Sequence, residues 1–421
     1  MKKYFLILLA FSLFACDSFV NDYTEPNDSI GDDQFKTAGD AQFLITGVRG
    51  LFSEAYDQAT SLSGGLSDEL RFTRDISGAS FVTFDEIDRA STLPPLPVNI
   101  DNNSITGFYL DLHRFRKHTE LLIDKTNNSI VFEEGEESIK ASALYTGYFY
   151  SAIAKYMLGA YFGLEIDQPG NVIDAGPFMS TTDLYNEALS DLTSAEANAS
   201  ESQVRMINTF RARIYMLLGE TGMAASAAAA GMTTGDASLN ALYNLANVND
   251  WHFDSGNGRI QWYTDARFGA YLEMDPAESA RIPMRTVFGT STDEDGNPLN
   301  TYYIQLKYEA EESPIRFIGW QENELILAEL AIAGGDAGTG LTHINNVRAA
   351  YGLSSVDDQY VTDNYNGDAM ELLMAERDKE FYGEGMRLLD QRRWNKWHLP
   401  LESSWLFLPI PLDERNANSN L

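Results

Sequence analysis

The sequence contains little cysteine and few basic residues. Among its 421 residues there is one cysteine, Cys16, so no disulfide can form within the chain and its stability must come from packing. Only 30 Lys and Arg stand against 62 Asp and Glu, which gives a formal net charge of −32 at pH 7. Such a surface repels phosphate groups, and no basic stretch with interleaved aromatic residues occurs. We therefore expect no nucleic acid partner, and we attribute the acidity to solubility rather than to a cationic substrate.

Motifs for metals and nucleotides are also missing. His113 and His118 lie five residues apart, whereas two histidines that bind one metal from a helix normally lie three or four apart, and no HExxH occurs. The acidic stretch 293–297 lacks the glycine spacing and the distant glutamate of an EF-hand, so a tight turn is expected there. The glycine-rich run 334–340 lacks the GK[ST] of a phosphate-binding loop. We expect no metal and no cofactor.

The N-terminus has the pattern of a lipoprotein signal. Lys2 and Lys3 precede an apolar run, residues 4–15, that is too short to span a bilayer comfortably. The run ends in Leu-Phe-Ala-Cys, a lipobox in which the only cysteine stands where lipid would be attached. We interpret residues 1–15 as a signal peptide and Cys16 as a lipidation site, with a plain secretory signal as the alternative. Several acyl chains, at about 0.8 kcal/mol per buried CH₂, would give stable anchoring.

The rest of the chain divides into a tether and one large folded region. Residues 16–39 are polar, acidic and rich in turn formers, which predicts a lipid-anchored tether. Residues 40–421 form the predicted helical domain, beginning with an amphipathic helix over 40–56. Its apolar side is predicted to carry Phe43, Val48, Leu51 and Phe52.

Three later segments have the pattern of helix pairs. Each pair joins two amphipathic helices through a short turn, with small residues where the helices cross. The pairs are 139–162 with 183–197, 204–218 with 223–230, and 321–333 with 340–351. This pattern is typical of tetratricopeptide-like architecture with its period broken by insertions. Aromatic stripes at helical spacing along these segments predict core packing rather than a cofactor site.

An insertion between the second and third pairs is the first-choice ligand site. Residues 239–272 mix Asn, Gly and Asp with Trp251, Trp262 and Tyr263, which look exposed. Aromatic rings on loops suit a sugar site, because the apolar face of a pyranose packs on a ring while neighbouring polar groups bind its hydroxyls. The alternative interpretation is that these rings only anchor a long insertion to the helices.

Residues 281–308 are predicted to form a small β-hairpin or two short strands. Tyr302 and Tyr303 in this region and Trp320 after it are second-rank candidates for ligand contact. Asp68 and Glu69, in the loop after the first helix, could in principle act as an acid and a base. In a chain with 62 acidic residues such a pair is expected by chance, so a solvated or capping role is the preferred interpretation.

The C-terminal stretch 371–421 carries the strongest signature. Asp390 lies three residues after Arg387 and three before Arg393, and these charges alternate with apolar residues so closely that some must be buried and paired. The segments ERDKEFYGEGMRLLDQRRWNKW and LFLPIPLDERNANSNL resemble the C-terminal signature of the SusD/RagB family of outer-membrane nutrient-binding lipoproteins. RARIYMLLG (211–219) is similar to a repeat unit of the same family. The tail departs from the family pattern at 417–420, which lacks the usual proline.

The resemblance implies a mainly α SusD-like fold with tetratricopeptide-like helix pairs, loop-rich insertions and a small β-hairpin. It also implies a noncatalytic role at the outer-membrane surface. The protein would capture a nutrient, an oligosaccharide being the first choice, and deliver it to a SusC-like TonB-dependent transporter. Two alternatives stay open: a surface glycoside hydrolase, which needs two carboxylates facing one cleft, and a tetratricopeptide-type adaptor that binds peptide.

Overall fold

The computed structural model describes residues 34–400 and 405–421. The predicted signal peptide, the predicted lipidation at Cys16 and residues 16–33 of the predicted tether lie outside the described residues. None of the described helices is long and apolar enough to cross a membrane.

Helices dominate the architecture, as the resemblance implied. The described part of the chain holds fifteen α-helices. They are α1 Ala38–Leu66, α2 Val82–Ala90, α3 Asn103–Asn128, α4 Glu137–Tyr161, α5 Thr181–Glu196, α6 Glu201–Leu218, α7 Thr221–Ala229, α8 Asp250–Ser255, α9 Ala266–Met274, α10 Trp320–Ala333, α11 Ala337–Ala350, α12 Asp358–Tyr365, α13 Ala369–Glu380, α14 Arg387–Arg393 and α15 Leu412–Ala417. A short 3₁₀ helix covers Pro276–Ala280.

Helix α1 is the long central element, and it begins at a capping box. The side chain of Thr37 accepts a hydrogen bond from the Asp40 backbone, while the Asp40 carboxylate accepts one from the Thr37 backbone at 2.8 Å. The helix is ten residues longer at its C-terminal end than predicted. Its residues pack against α3 and α4, and Phe52 lies 5.3 Å from Tyr150 in an edge-on ring contact. Phe43, predicted to face the core, is 58% exposed.

The three predicted helix pairs are present, each with its two helices packed together: α4 with α5, α6 with α7, and α10 with α11. Small residues permit these contacts. A Cβ at Gly340 would overlap the side chain of Ile332 across the third pair, and one at Gly159 would crowd Leu184 in the first. The predicted core role of the aromatic stripe on α4 is confirmed, because Phe149 and Tyr156 are fully buried.

Short strands fill the insertions. The predicted hairpin is confirmed, since the two strands within 281–308 pair antiparallel over five residues. It joins a four-stranded sheet in the order β1-β6-β8-β7, and a second sheet has the order β10-β2-β3-β4. The strands are β1 Leu70–Phe72, β2 Phe162–Glu165, β3 Gln168–Val172, β4 Phe178–Ser180, β5 Leu239–Ala241, β6 Trp262–Thr264, β7 Met284–Phe288, β8 Thr301–Gln305, β9 Ile315–Ile318 and β10 Leu408–Pro409.

Helices α13 and α14 with the turn between them, residues 369–393, form what we call the C-terminal block. At its centre the buried carboxylate of Glu376 accepts hydrogen bonds from Arg281 at 2.6 Å, Arg348 at 2.8 Å and Lys379 at 2.7 Å. Burial alone would raise the pKa of Glu376. The three cations outweigh burial and hold that pKa well below its usual range.

A second set of buried ion pairs ties α13 to α14. Asp390 accepts hydrogen bonds from Arg377 at 2.9 Å and from Arg393 at 2.7 Å, so the predicted pairing with Arg393 is confirmed. Arg387 instead binds Asp68 through two hydrogen bonds of 2.6 and 2.7 Å. These charges fix the block to the start of β1, which is a structural role.

Candidate functional site

The predicted tryptophans lie in the core. Trp251 and Trp262 are 1% and 0% exposed, so the prediction that these two rings face solvent is wrong. Trp320, a second-rank candidate, is also buried, at 8% exposure. The Trp251 indole N–H donates to the Thr60 hydroxyl at 2.6 Å, and Trp262 stacks on Phe84 at 4.7 Å. The alternative interpretation holds for Trp251 and Trp262, because these two rings anchor the insertion to α1 and α2.

Two other predicted residues, Tyr263 and Tyr302, are brought together at the surface. Both are half-buried, and their rings meet edge to face with centroids 4.8 Å apart. Burial raises the pKa of Tyr263 to about 12. The Tyr302 hydroxyl donates to Asp75 at 2.8 Å, and Asp75 also accepts a hydrogen bond from the Ser291 backbone at 2.6 Å. The Tyr302 hydroxyl therefore helps to hold the β7–β8 hairpin against Asp75.

The acidic pair after the first helix is held inside the fold, with Glu69 buried and Asp68 half-buried. Asp68 is paired with Arg387, as described above, and with Arg267 at 3.1 Å. Glu69 accepts a hydrogen bond from the Gly383 backbone at 3.0 Å, and burial raises its pKa to about 8. Asp68 therefore binds Arg387 and Arg267 while Glu69 binds the turn at Gly383, so the expected solvated or capping role is wrong for both.

Two cavities flank helix α1 and meet at Gly50. The first, with a volume of about 630 Å³, lies between α1, α4, α6 and β5. The second, of about 780 Å³, lies on the α3 side of α1. Both volumes fall within the range of small-molecule sites, about 300 to 1,000 Å³.

The first cavity combines an aromatic floor with a polar rim. Tyr145 and Phe149 stack at 5.2 Å on one face of α4, and Tyr150 completes the floor. The polar side chains come from three separate segments and are Thr46, Arg49, Ser53, Gln203, Ser238, Asn240 and Asn244. This composition, with apolar ring surface and several amides and hydroxyls, is the one that an uncharged or weakly charged polar ligand such as a sugar requires.

A short loop separates the two cavities, and we call residues 242–247 the strap. The Leu242 backbone N–H donates to the Ser53 hydroxyl at 2.9 Å. The Tyr243 hydroxyl donates to the Ser53 carbonyl at 3.1 Å. The Asn247 amide donates to the Gly50 carbonyl at 3.3 Å. These three hydrogen bonds hold the strap against one face of α1 and so fix the rim of the first cavity.

The electrostatics of the first cavity depend on one residue. Among the described residues that line it, Arg49 is the only Lys, Arg, His, Asp or Glu. Burial raises the pKa of Tyr150 to about 12, and the nearby charge and hydrogen bond of Arg49 oppose that rise. Arg49 is itself exposed, so its guanidinium is available at the cavity mouth.

The second cavity has a different character. Its walls are largely apolar, with Phe35, Phe43 and Leu121, and its ionisable residues are Glu54 and His118. Glu54 is already paired with Arg114 at 2.6 Å. The Nδ1–H of His118 donates to the Arg114 carbonyl on its own helix at 2.9 Å. This cavity offers few groups that could orient a polar ligand.

The sequence alone does not predict the first cavity, because four segments that are distant along the chain form it. The sequence does contain one signal for the cavity. One face of α1 is polar and has the i, i+3, i+4, i+7 spacing of a helix, at Thr46, Arg49, Gly50 and Ser53. Within the described residues no group of three or more His, Cys, Asp or Glu is arranged to hold a metal ion.

Comparisons with known proteins agree with this fold. A family model described as the SusD family matches residues 322–420. No curated protein matches the chain significantly. Solved structures match over nearly the whole chain at low identity. A SusD superfamily protein from Bacteroides thetaiotaomicron has a TM-score of 0.69 and 16% identity, covering 91% of this chain and 98% of that one.

Two further structures are similar. A SusD-like carbohydrate binding protein from Bacteroides vulgatus has a TM-score of 0.67 and 15% identity, covering 92% of this chain and 97% of that one. A laminarin binding SusD-like protein has a TM-score of 0.64 and 16% identity, covering 91% of this chain and 98% of its own. Residues 322–420 thus match the SusD family model, and the chain as a whole has the fold of these SusD superfamily structures.

Proposed function

We propose that this protein binds an oligosaccharide in the first cavity without transforming it. The observation that carries the proposal is the combination, within one cavity of about 630 Å³, of a Tyr145–Phe149–Tyr150 floor with an amide and hydroxyl rim. Two proteins of the same fold, named as carbohydrate binding and laminarin binding, support the ligand class.

The proposed mechanism is capture and release. Ring edges and apolar side chains contact the C–H surface of the sugar, while the Asn240 and Asn244 amides bind hydroxyl groups. Hydrogen bonds to neutral groups contribute only about 0.5–1.5 kcal/mol each, so the affinity stays moderate and the ligand can leave. Within the proposal, the ligand passes to a SusC-like TonB-dependent transporter at the outer membrane, to which Cys16 anchors the chain by lipid.

The lining favours binding over the two alternatives. Glycoside hydrolysis uses two carboxylates on either side of the scissile bond, whereas the ionisable group that the described lining provides is Arg49. A peptide adaptor requires an extended groove with backbone partners, and the strap closes this cavity along one side.

A binding assay on two matched variants tests the site. Isothermal titration with a panel of oligosaccharides would compare the purified chain, carrying Cys16→Ser to prevent acylation, with added Asn240→Ala or Tyr302→Ala. We expect Asn240→Ala to lower affinity about tenfold, since it removes hydrogen bonds to hydroxyls, and Tyr302→Ala to leave it nearly unchanged. The reverse result would move the site to the Tyr263–Tyr302 pair. No binding by the parent chain to any oligosaccharide would overturn the proposal.

The partner is tested on the acylated protein. Affinity purification from detergent-solubilised outer membranes, followed by mass spectrometry, is expected to recover a large β-barrel at near-equal stoichiometry. A Cys16→Ser chain should be lost from the membrane fraction if Cys16 is the anchor. Recovery of the acylated protein alone would argue against transporter docking while leaving the glycan-binding proposal to its own assay.

A further inference from the structure

Arginines in this acidic chain almost all have a carboxylate partner. Within the described residues, four have no carboxylate oxygen within the 4.0 Å of an ion pair: Arg49, Arg259, Arg285 and Arg392. Since Asp and Glu outnumber Lys and Arg by 62 to 30, an arginine that has no such partner is unusual and needs a reason.

Three of the four exceptions are explained by backbone carbonyls. Arg259 donates to Gly78 at 3.0 Å, and Arg285 donates to Gly256 at 3.0 Å. Arg392 donates to the carbonyls of Leu406 and Ala160 at 3.0 and 2.6 Å. Each of these guanidinium groups therefore stabilises a loop or a chain crossing.

Arg49 differs from the other three. Its guanidinium lies beside the phenol of Tyr150, a neutral group that does not compensate its charge. It is exposed, and it lines the first cavity beside the aromatic floor. No acidic residue is among the described residues lining that cavity, so nothing in the wall competes for its charge.

We propose that Arg49 binds an anionic group, a carboxylate or a sulfate, on a sugar ring in the first cavity, so that the protein selects acidic over neutral oligosaccharides. This inference rests on the proposed function. A planar guanidinium binds two oxygens of a carboxylate or sulfate at once, which fixes the orientation of the ring as well as adding charge. The floor and the amide rim then contact the uncharged part of the ligand.

The net charge of −32 does not prevent such binding. At physiological ionic strength charges are screened over about 8 Å, so the groups that line the cavity dominate over the distant acidic surface. The charge at the cavity wall is positive, because Arg49 is the only Lys, Arg, His, Asp or Glu among the described residues that line it.

Matched probes separate charge recognition from sugar binding. The experiment titrates the chain with trigalacturonate, with its neutral methyl ester, with a sulfated galactan oligosaccharide and with the unsulfated form. In at least one of the two pairs, we expect the acidic probe to bind at least tenfold more tightly than its neutral partner. The pair that shows this difference identifies the preferred anion, carboxylate or sulfate. Arg49→Gln should remove that preference, lowering affinity for the acidic probe about tenfold to a hundredfold and for its neutral partner less than threefold.

A matched control removes the same charge elsewhere. Arg114→Gln deletes an exposed arginine that is paired with Glu54 and lies outside the first cavity, and the preference should survive this change. Equal affinity of both members in each pair would overturn the role of Arg49 and leave glycan binding intact. A preference that persists in Arg49→Gln would also overturn it. Absence of binding by all four probes and by the neutral panel would instead count against the proposed function.

Discussion

The C-terminal block and the first cavity use arginine in opposite ways. In the block, Arg377 is buried and its guanidinium binds both oxygens of Asp390, at 2.9 and 3.1 Å. In the cavity, Arg49 is exposed, and its partner is the Tyr150 phenol. A charge whose partners are all supplied by the protein contributes to the fold, whereas a charge that lacks them is free to bind a ligand.

The same contrast separates the aromatic residues. Trp262 is fully buried between Phe84 and helix α1, where a Cβ at Gly65 would overlap its ring. Tyr145 and Phe149 are also buried, at 6% and 0% exposure, yet both line an open cavity. Residue type alone therefore does not show whether an aromatic ring anchors the fold or borders a ligand cavity. The space around each ring does show this.

The largest expected effect is on the buried network. Replacing Glu376 with Gln removes the charge that Arg281, Arg348 and Lys379 share, which leaves buried cations underpaired. We expect a loss of about 3–5 kcal/mol in the free energy of unfolding, measured by urea denaturation. The control is Glu371→Gln on the same helix, because its pair with Lys396 is about half exposed and should cost less than about 0.5 kcal/mol. Equal small losses in both variants would show that the block is not held by charge.

The next largest effect concerns the tryptophan that first looked like a ligand contact. Trp262→Ala should lower the free energy of unfolding by about 3–5 kcal/mol, because it empties a fully buried position. Tyr263→Ala is the neighbouring control and should cost about 1 kcal/mol, since its side chain is half-buried on the opposite face of β6. A Trp262→Ala chain with unchanged stability but lost oligosaccharide binding would contradict the core assignment.

Sequence patterns predicted the parts of this fold that repeat locally. The helix pairs follow from 3.6-residue periodicity, and the β7–β8 hairpin was predicted in a stretch with a tight turn at Asp295-Gly296. The C-terminal charges were predicted to be paired because they alternate with apolar residues, and Asp390 with Arg393 confirms this. Arg387 pairs instead with Asp68, more than 300 residues away along the chain, which helical spacing cannot reveal.

The candidate site was less predictable. Neighbouring residues of a strand point to opposite faces, so Trp262 and Tyr263 could not both face a ligand, and this alternation was a signal within the sequence. The first cavity had no such signal as a whole, since α1, α4, α6 and β5 contribute to it from distant positions. Arg49 lacks a carboxylate partner among the described residues because of where the Asp and Glu side chains lie in the fold. Sequence periodicity does not predict those positions.

Changes in pH act on Glu69, which binds the turn of the C-terminal block at Gly383. The folded chain keeps Glu69 protonated up to a pKa of about 8, mainly through burial, while a free glutamate loses its proton near 4.5. Between these values the unfolded chain binds fewer protons, so this residue lowers the free energy of unfolding as pH rises, by up to about 1.4 kcal/mol per pH unit. Glu69→Gln removes this contribution, so stability relative to the parent chain should increase from pH 5 to pH 8.

The readout for Glu69 is the difference between two denaturation series. Other groups with shifted values, such as His398, whose pKa burial lowers to about 4, titrate in both chains and cancel in the difference. Parallel curves for the parent and the Glu69→Gln variant between pH 5 and pH 8 would show that the buried carboxyl does not retain its proton.

The smallest expected effect on stability is the loss of the Arg49 charge, which forms no ion pair within the described residues. Arg49→Gln should change the free energy of unfolding by less than about 0.5 kcal/mol, because the side chain is exposed and breaks no ion pair within the described structure. Urea denaturation of Arg49→Gln and of Glu376→Gln compares how much each charge contributes to the free energy of unfolding. A loss above about 1.5 kcal/mol would mean that Arg49 supports the floor through Tyr150, and any loss of acidic-ligand affinity would then report on structure. A stable variant that has lost the preference for acidic sugars would instead assign that preference to the unpaired guanidinium itself.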